Sequence, residues 1–297
     1  MSPARVLVSG SSGLIGSALI PVLQREGYEV VRLVRRGTSS PNQIVWDFSS
    51  PGPSVSGFDA VVHLAGESIV GRWTAEKKRQ IRESRVLGTR RLCEALAGAQ
   101  QRPRVLVSGS AIGIYGDRGD EILREESPSG SGFLAEVCRE WEAVAGAVAS
   151  AGILVAQLRT GVVLSRNGGA LSKMLTPFRL GVGGNMGNGR QWWSWIALED
   201  QVGAILHILK TDSLNGPVNA VAPNPVTNAE FTETLASLLS RPAVFPMPAF
   251  AARLAFGEMA DELLLASQKV EPGKLKACGY AFRQPDLHPA LESILKM

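Results

Sequence analysis

A short β-branched run, Arg5 to Ser9, ends in Gly10-Ser11-Ser12-Gly13-Leu14-Ile15-Gly16 and opens at once into an amphipathic stretch. That junction restricts the fold more than any other part of the chain. Glycines at this spacing suit a strand, a tight turn and a helix closing around a phosphate. Gly10 permits the turn, Gly13 lets the backbone approach a pyrophosphate, and Gly16 lets the helix pack on the sheet. Leu14, Ile15, Ala18, Leu19, Val22 and Leu23 then recur at helical spacing up to Arg25, and Gly27 stops the helix. The amides at the start of that helix point toward an anion, and its dipole adds to the attraction. Gly10, Ser12, Gly13, Leu14, Ile15 and Gly16 therefore form a candidate dinucleotide cradle. The bland alternative is a glycine-rich turn with no ligand.

Strand and helix patterns keep alternating over roughly the first 210 residues. Strands are expected at Glu29–Val34, Ile44–Asp47, Ala60–Leu64, Arg104–Ser108 and Ile153–Arg159, and long helices at Ala75–Ala97 and Gly132–Ser150. The predicted class is α/β, a Rossmann-type doubly wound parallel sheet, followed by a smaller, mainly helical C-terminal lobe. The expected division is 1–216 for the sheet domain and 217–297 for the lobe. Helical stretches in the lobe are expected at Asn228–Leu239, Ala249–Phe256, Glu258–Gln268 and Asp286–Leu295. Charge argues against nucleic acid, since the net +4 includes no block of like charges. No apolar run is long enough to span a membrane, and no secretory signal opens the chain. Three widely spaced cysteines have no metal-binding spacing and fit a reducing cytosol. A cytoplasmic protein without bound metal is expected.

The end of the second strand discriminates between cofactors. An acidic residue there would suit the ribose hydroxyls of NAD, but this chain reads Val34-Arg35-Arg36. Two guanidinium forks suit the 2′-phosphate of NADP(H); the alternative is a pair of solvated surface charges. The fourth strand ends in His63-Leu64-Ala65-Gly66, a small-residue corner where the backbone can lie against a ribose. His63 reads as structural, having no carboxylate partner in view. Asp47 is either an adenine contact or an ordinary turn aspartate.

With Ser108-Gly-Ser110-Ala-Ile-Gly-Ile-Tyr115-Gly116 added to these pieces, the sequence resembles the extended short-chain dehydrogenase/reductases. It is closest to their atypical "epimerase family protein" branch, a group without an established reaction. The pieces carrying that likeness are Leu64-Ala-Gly-Glu67-Ser-Ile69, Arg72-Trp73, Ser84-Arg85-Val86-x-Gly88-Thr89, Leu158-Arg159-Thr-Gly-Val-Val163-Leu164, Gly189-Arg-Gln-Trp-Trp-Ser-Trp195-Ile196 and, in the lobe, Asn219-x-x-Ala222-Pro223 and Gly257-Glu258. The resemblance implies a Ser or Thr after the fifth strand and a Tyr-x-x-x-Lys on the next helix. Aligning on Glu142 puts Leu134 and Cys138 at those two places; a shift of one gives Phe133 and Val137. Neither register supplies a phenol or an ammonium, and general acid–base catalysis is worth about 100- to 10,000-fold in rate. Where relatives read Trp-Ile-His, this chain has Ala197.

Ser110 matches the superfamily serine, Tyr115 is the nearest phenol in sequence, and Glu67 follows the fourth strand as a base or ribose ligand. These are the catalytic candidates. Arg85 is placed to cross the cleft toward cofactor or substrate anion, and the resemblance adds Arg159 and Val163 as cofactor contacts. The glycine-rich 181–189 loop with Trp192, Trp193 and Trp195 is either a substrate cover or part of the core. Two functions remain open: an NADP(H)-dependent oxidoreductase or epimerase acting on an unidentified small organic substrate, and a non-catalytic NADP(H)-binding sensor. A monomer and a homodimer both fit.

Overall fold

The computed structural model describes residues 3–38, 40–48, 50 and 52–296. Seven parallel strands form one sheet: β1 (Arg5–Ser9), β2 (Glu29–Val34), β3 (Gln43–Val45), β4 (Ala60–His63), β5 (Val105–Ala111), β6 (Leu154–Thr160) and β7 (Gly216–Ala220). Their spatial order is β7-β6-β5-β4-β1-β2-β3. The order reverses between β1 and β4, so a crevice opens at their carboxyl ends. Every residue of β4 is buried, as expected of a strand covered on both faces. On one face α1 (Leu14–Arg25) and a helix not foreseen in the sequence, α5 (Leu198–Lys210), pack against Val6, Val8 and Val62. On the other, α2 (Ala75–Ala97) and α3 (Phe133–Gly146) cover Leu7, Val61 and Leu106.

Several boundaries differ from expectation. β3 stops at Val45, two residues before Asp47, and α3 ends at Gly146, where a 3₁₀ turn continues to Ala151. β7 extends the sheet past residue 216 to Ala220. Within Glu258–Gln268 helix covers residues 258–264, its last five residues, Ala260–Leu264, as a π-type turn. The α4 helix (Gly169–Arg179) is also additional to the sequence reading.

The lobe comprises α6 (Asn228–Leu239), α7 (Ala249–Phe256), α8 (Gly273–Ala277) and α9 (Leu287–Lys296). Thr227 and Glu230 cap α6 reciprocally, which satisfies donors that a bare helix end leaves open. Trp193 and Trp195 are buried in the core between α4, α6 and α9, and Trp193 meets the Phe231 ring at 5.3 Å between centroids. Those two tryptophans are core residues. Trp192 lies at the edge, its indole donating to Asp120 at 2.8 Å and Lys269 resting 3.9 Å from its ring centre.

The lobe also grips the sheet domain. Buried Asp200 on α5 accepts from the Tyr280 hydroxyl and from the Arg283 and Gln284 amides. The Glu262 carboxylate accepts from the Phe133 and Leu134 amides, both at 2.7 Å, and so closes the amino end of α3. Acid at a helix start satisfies bare donors and complements the dipole.

Candidate functional site

The glycine turn is built as a cradle. Gly10 has φ +66°, and a Cβ there would lie 2.6 Å from the Leu64 carbonyl carbon. At Gly16 a Cβ would lie 2.3 Å from the Gly10 oxygen. The β1 and β4 ends and the start of α1 are thus in backbone contact that only glycine allows. No side chain caps α1, and its first turn holds no acid. Ser12 and Gly13 are exposed while Leu14 and Ile15 are half-buried, so the helix presents its amides to the crevice with no capping side chain among the described residues and no acid in its own first turn to meet them. This arrangement fits a pyrophosphate.

Arg35 and Arg36 extend beyond β2, both exposed. Neither has an ion-pair partner among the described residues. Arg35 is near enough to Glu67 to help hold that carboxylate ionised. The β2 tip and the segment after β4 therefore flank the cradle. Leu64 and Ala65 are half-buried and Gly66 is exposed. Val163 packs partly on the core, and Leu14 lies against Gly168 and Gly169 just beyond it.

Arg85 reaches across from α2. Its guanidinium would sit 3.2 Å from a Cβ at Gly66 and lies 5.3 Å from the Trp141 ring. One nitrogen, Nη1, donates to the Glu67 and Ile81 carbonyls. Burial works against the Arg85 charge, a cost that a nearby anion would relieve.

Glu67 is not a free base. Lys77 donates to it at 2.6 Å, and that hydrogen bond and charge hold the carboxyl below its usual range. The backbone amide of Glu67 is fixed by the Ser84 hydroxyl.

Ser110 and Tyr115 lie in a buried polar network away from free solvent. The Ser110 hydroxyl donates to Glu142 at 2.7 Å. Glu142 accepts a fork from Arg159, at 2.8 and 2.9 Å. Arg159, expected to face a cofactor, instead spends its remaining Nη1 on the Tyr115 hydroxyl and the Glu125 carbonyl. The Tyr115 hydroxyl in turn donates toward the Arg124 carbonyl and Asn219 Oδ1. Tyr115 is 0% exposed, and burial raises its pKa, the reverse of what a proton-transferring phenol needs. Leu134 and Cys138 are buried on α3, and burial pushes the Cys138 thiol up to about 11. Sequence reasoning used Glu142 only as an alignment anchor. Its place between Trp141 and Ala145 on a buried helical face was the available signal, because a charge there needs a partner.

His63 is structural. It is 1% exposed and sits between Ser9 and Thr89, at 2.6 and 3.0 Å, while Thr89 also accepts from the Trp141 indole. Burial lowers its pKa from 6.5 to about 4. Because the folded value is depressed, the unfolded chain binds the extra proton first as pH falls. Stability from this group is intact above about pH 6.5 and is lost toward pH 4; by pH 5 the loss is about 2 kcal/mol. Urea unfolding of wild type and His63→Asn at pH 7.5 and 5 checks this. The variant is expected to show a shallower slope; identical slopes would remove the assignment.

The comparisons with known proteins agree with this geometry. The family model described as NAD dependent epimerase/dehydratase matches residues 6–220, and a domain of unknown function, DUF1731, matches 247–294. The epimerase family protein Mb2239 of Mycobacterium bovis is 40% identical over 98% of this chain and 97% of its own. The crystal structure of human epimerase family protein SDR39U1 (isoform 2) with NADPH superposes with a TM-score of 0.89 at 36% identity, covering 98% of this chain and 99% of that one. The nucleoside-diphosphate sugar epimerase of Corynebacterium glutamicum gives a TM-score of 0.83 at 41% identity, covering 99% of this chain and 58% of that one. With matches of that extent joined to a seven-stranded parallel sheet and a glycine cradle, the chain belongs to the NAD dependent epimerase/dehydratase family.

Proposed function

We propose that this chain binds NADP(H) and exchanges hydride with a small organic substrate, as an oxidoreductase or an epimerase. The observation that carries the reading is the uncapped, acid-free start of α1 facing the Gly10–Leu64 contact. The SDR39U1 structure with NADPH supports the choice of cofactor. The α1 amides, with Gly10, Ser12, Gly13 and Gly16, hold the pyrophosphate. Arg35 and Arg36 take the 2′-phosphate, and Leu64, Ala65 and Gly66 lie against ribose. Arg85 and Val163 orient the nicotinamide end. When bound, the cofactor supplies or accepts hydride at its nicotinamide ring. Ser110 has its hydroxyl proton on Glu142, which leaves its oxygen lone pairs as acceptors.

A second reading has a specific observation behind it. Leu134 and Cys138, or Phe133 and Val137 in the other register, are buried apolar or thiol groups where the resemblance implies a phenol and an ammonium, and Tyr115 and Ser110 are tied to Arg159 and Glu142. A chain so furnished holds cofactor without a proton relay, as a sensor would. Calorimetry with NADPH and NADH tests the shared claim, and NADPH fluorescence across carbonyl substrates separates the readings. Turnover with any substrate supports the enzyme. Tight NADPH binding with no turnover across the panel supports the sensor, and no heat with either coenzyme removes both.

Arg36→Ala is expected to weaken NADPH binding by about 10- to 100-fold, the worth of a charge-assisted contact. NADH binding should change by less than about twofold, since NADH lacks the phosphate. Arg35→Ala should act in the same direction. Equal losses for the two coenzymes in calorimetry would return both arginines to the solvated surface.

A further inference from the structure

Exposed apolar side chains and unpaired arginines are gathered on one part of the surface. The segment after α4 lies beside the segment before α7: the Phe245 amide donates to the Gly183 carbonyl, the Met247 amide to Asn185, and the Gly187 amide back to Met247. Together with α7 they present Leu180 (73% exposed), Val244 (68%), Phe245 (59%), Phe250 (72%) and Leu254 (76%). Phe250 and Leu254 are one helical turn apart on the same side of α7. Isolated exposed apolar residues are ordinary, but a continuous set on one surface marks an interaction site.

The two segments that form this set are basic along the chain, with acids only beyond their ends. No Asp or Glu occurs from residue 166 to 198, a stretch with Arg166, Lys173, Arg179 and Arg190. None occurs from 234 to 257 either, where Arg241 and Arg253 lie. Arg253 is paired with Asp261. Arg179, Arg190 and Arg241 are exposed and have no ion-pair partner among the described residues. A second copy of the chain docking through this face would set one patch of unpaired guanidinium groups against another of the same sign, which repel. A surface carrying negative charge above an apolar layer complements both features. From this we infer that the face formed by residues 180–187 and 241–255 docks on an anionic lipid bilayer surface. Phe250 and Leu254 enter the headgroup layer and Arg179, Arg190 and Arg241 meet the phosphates. No helix among the described residues is long and apolar enough to cross a membrane, and docking by one face requires none.

The test is co-sedimentation of the full chain with vesicles of phosphatidylcholine, with and without phosphatidylglycerol, at low and high salt. Binding is expected only with phosphatidylglycerol and is expected to weaken with salt. The double variant Phe250→Ser/Leu254→Ser should bind at least about tenfold more weakly, and Arg179→Gln/Arg190→Gln/Arg241→Gln about 100-fold more weakly. All substituted side chains are exposed, and NADPH calorimetry on each variant checks that the crevice is intact. No sedimentation of a folded wild-type chain overturns the proposal. So does equal binding by the apolar double variant. A stable dimer in light scattering that the double variant dissociates would assign the face to a second copy instead, and overturns it too.

Discussion

Glu142→Ala is expected to lower folding stability by about 3–5 kcal/mol, the usual cost of leaving a buried charge without its partner. Glu142 and Arg159 are 9% and 6% exposed, and the fork between them is the centre of the polar network that also holds Ser110, Tyr115 and Asn219. Removing the carboxylate strands the Arg159 Nε and Nη2 donors and the Ser110 hydroxyl in a dry interior. The pair Glu142→Leu/Arg159→Met should be less damaging than Glu142→Ala alone, because no uncompensated charge remains. Urea unfolding at neutral pH reads both. A loss below about 1 kcal/mol for the single variant would show that solvent reaches this network, contrary to the burial described.

Gly10→Ala is expected to reduce NADPH affinity by about 100-fold, on the order of 3 kcal/mol. Two penalties act together. The left-handed backbone at φ +66° strains any L side chain, and the new methyl would overlap the Leu64 carbonyl and the Ala65 amide. Neither neighbour can rotate away, since both are main chain at the end of β4. Relief requires separating β4 from β1, which opens the cradle. Gly27→Ala is the matched control, with φ +86° and nothing within 4 Å of its Cβ. That variant should lose about 1 kcal/mol of stability and keep its NADPH affinity. If calorimetry shows similar affinity losses for the two, strain alone explains them and the close approach has no part in binding.

The parts of the fold set by local rules were legible before any coordinates. β1, α1, β2 and α2 have the expected bounds because each is defined by short-range periodicity and by glycine or a capping residue at its ends. The glycine turn was equally clear, since its function is a matter of backbone. Side-chain partners separated by long stretches of sequence were not. Arg159 and Tyr115 matched family motifs and read as candidates for the crevice, yet Arg159 is held by a carboxylate 17 positions away on another element. The expected helix over 258–268 is formed only to Leu264, for a related reason. Its composition favours helix throughout, but the chain leaves the helix after a π-type turn, just ahead of the pairing of Lys269 and Val270 with Ile122 and Leu123. Tertiary contact outweighed propensity there.

The Glu262 carboxylate at the head of α3 ties the ordering of that helix to the lobe. The backbone donors it satisfies belong to Phe133 and Leu134, at the first turn of the helix that also carries Cys138 and Glu142. Without an acid at that spot the amides of Phe133 and Leu134 would lose their acceptor, and the first turn of α3 would fray. Loosening the lobe at Glu262 therefore reaches, through α3, the carboxylate that holds Arg159.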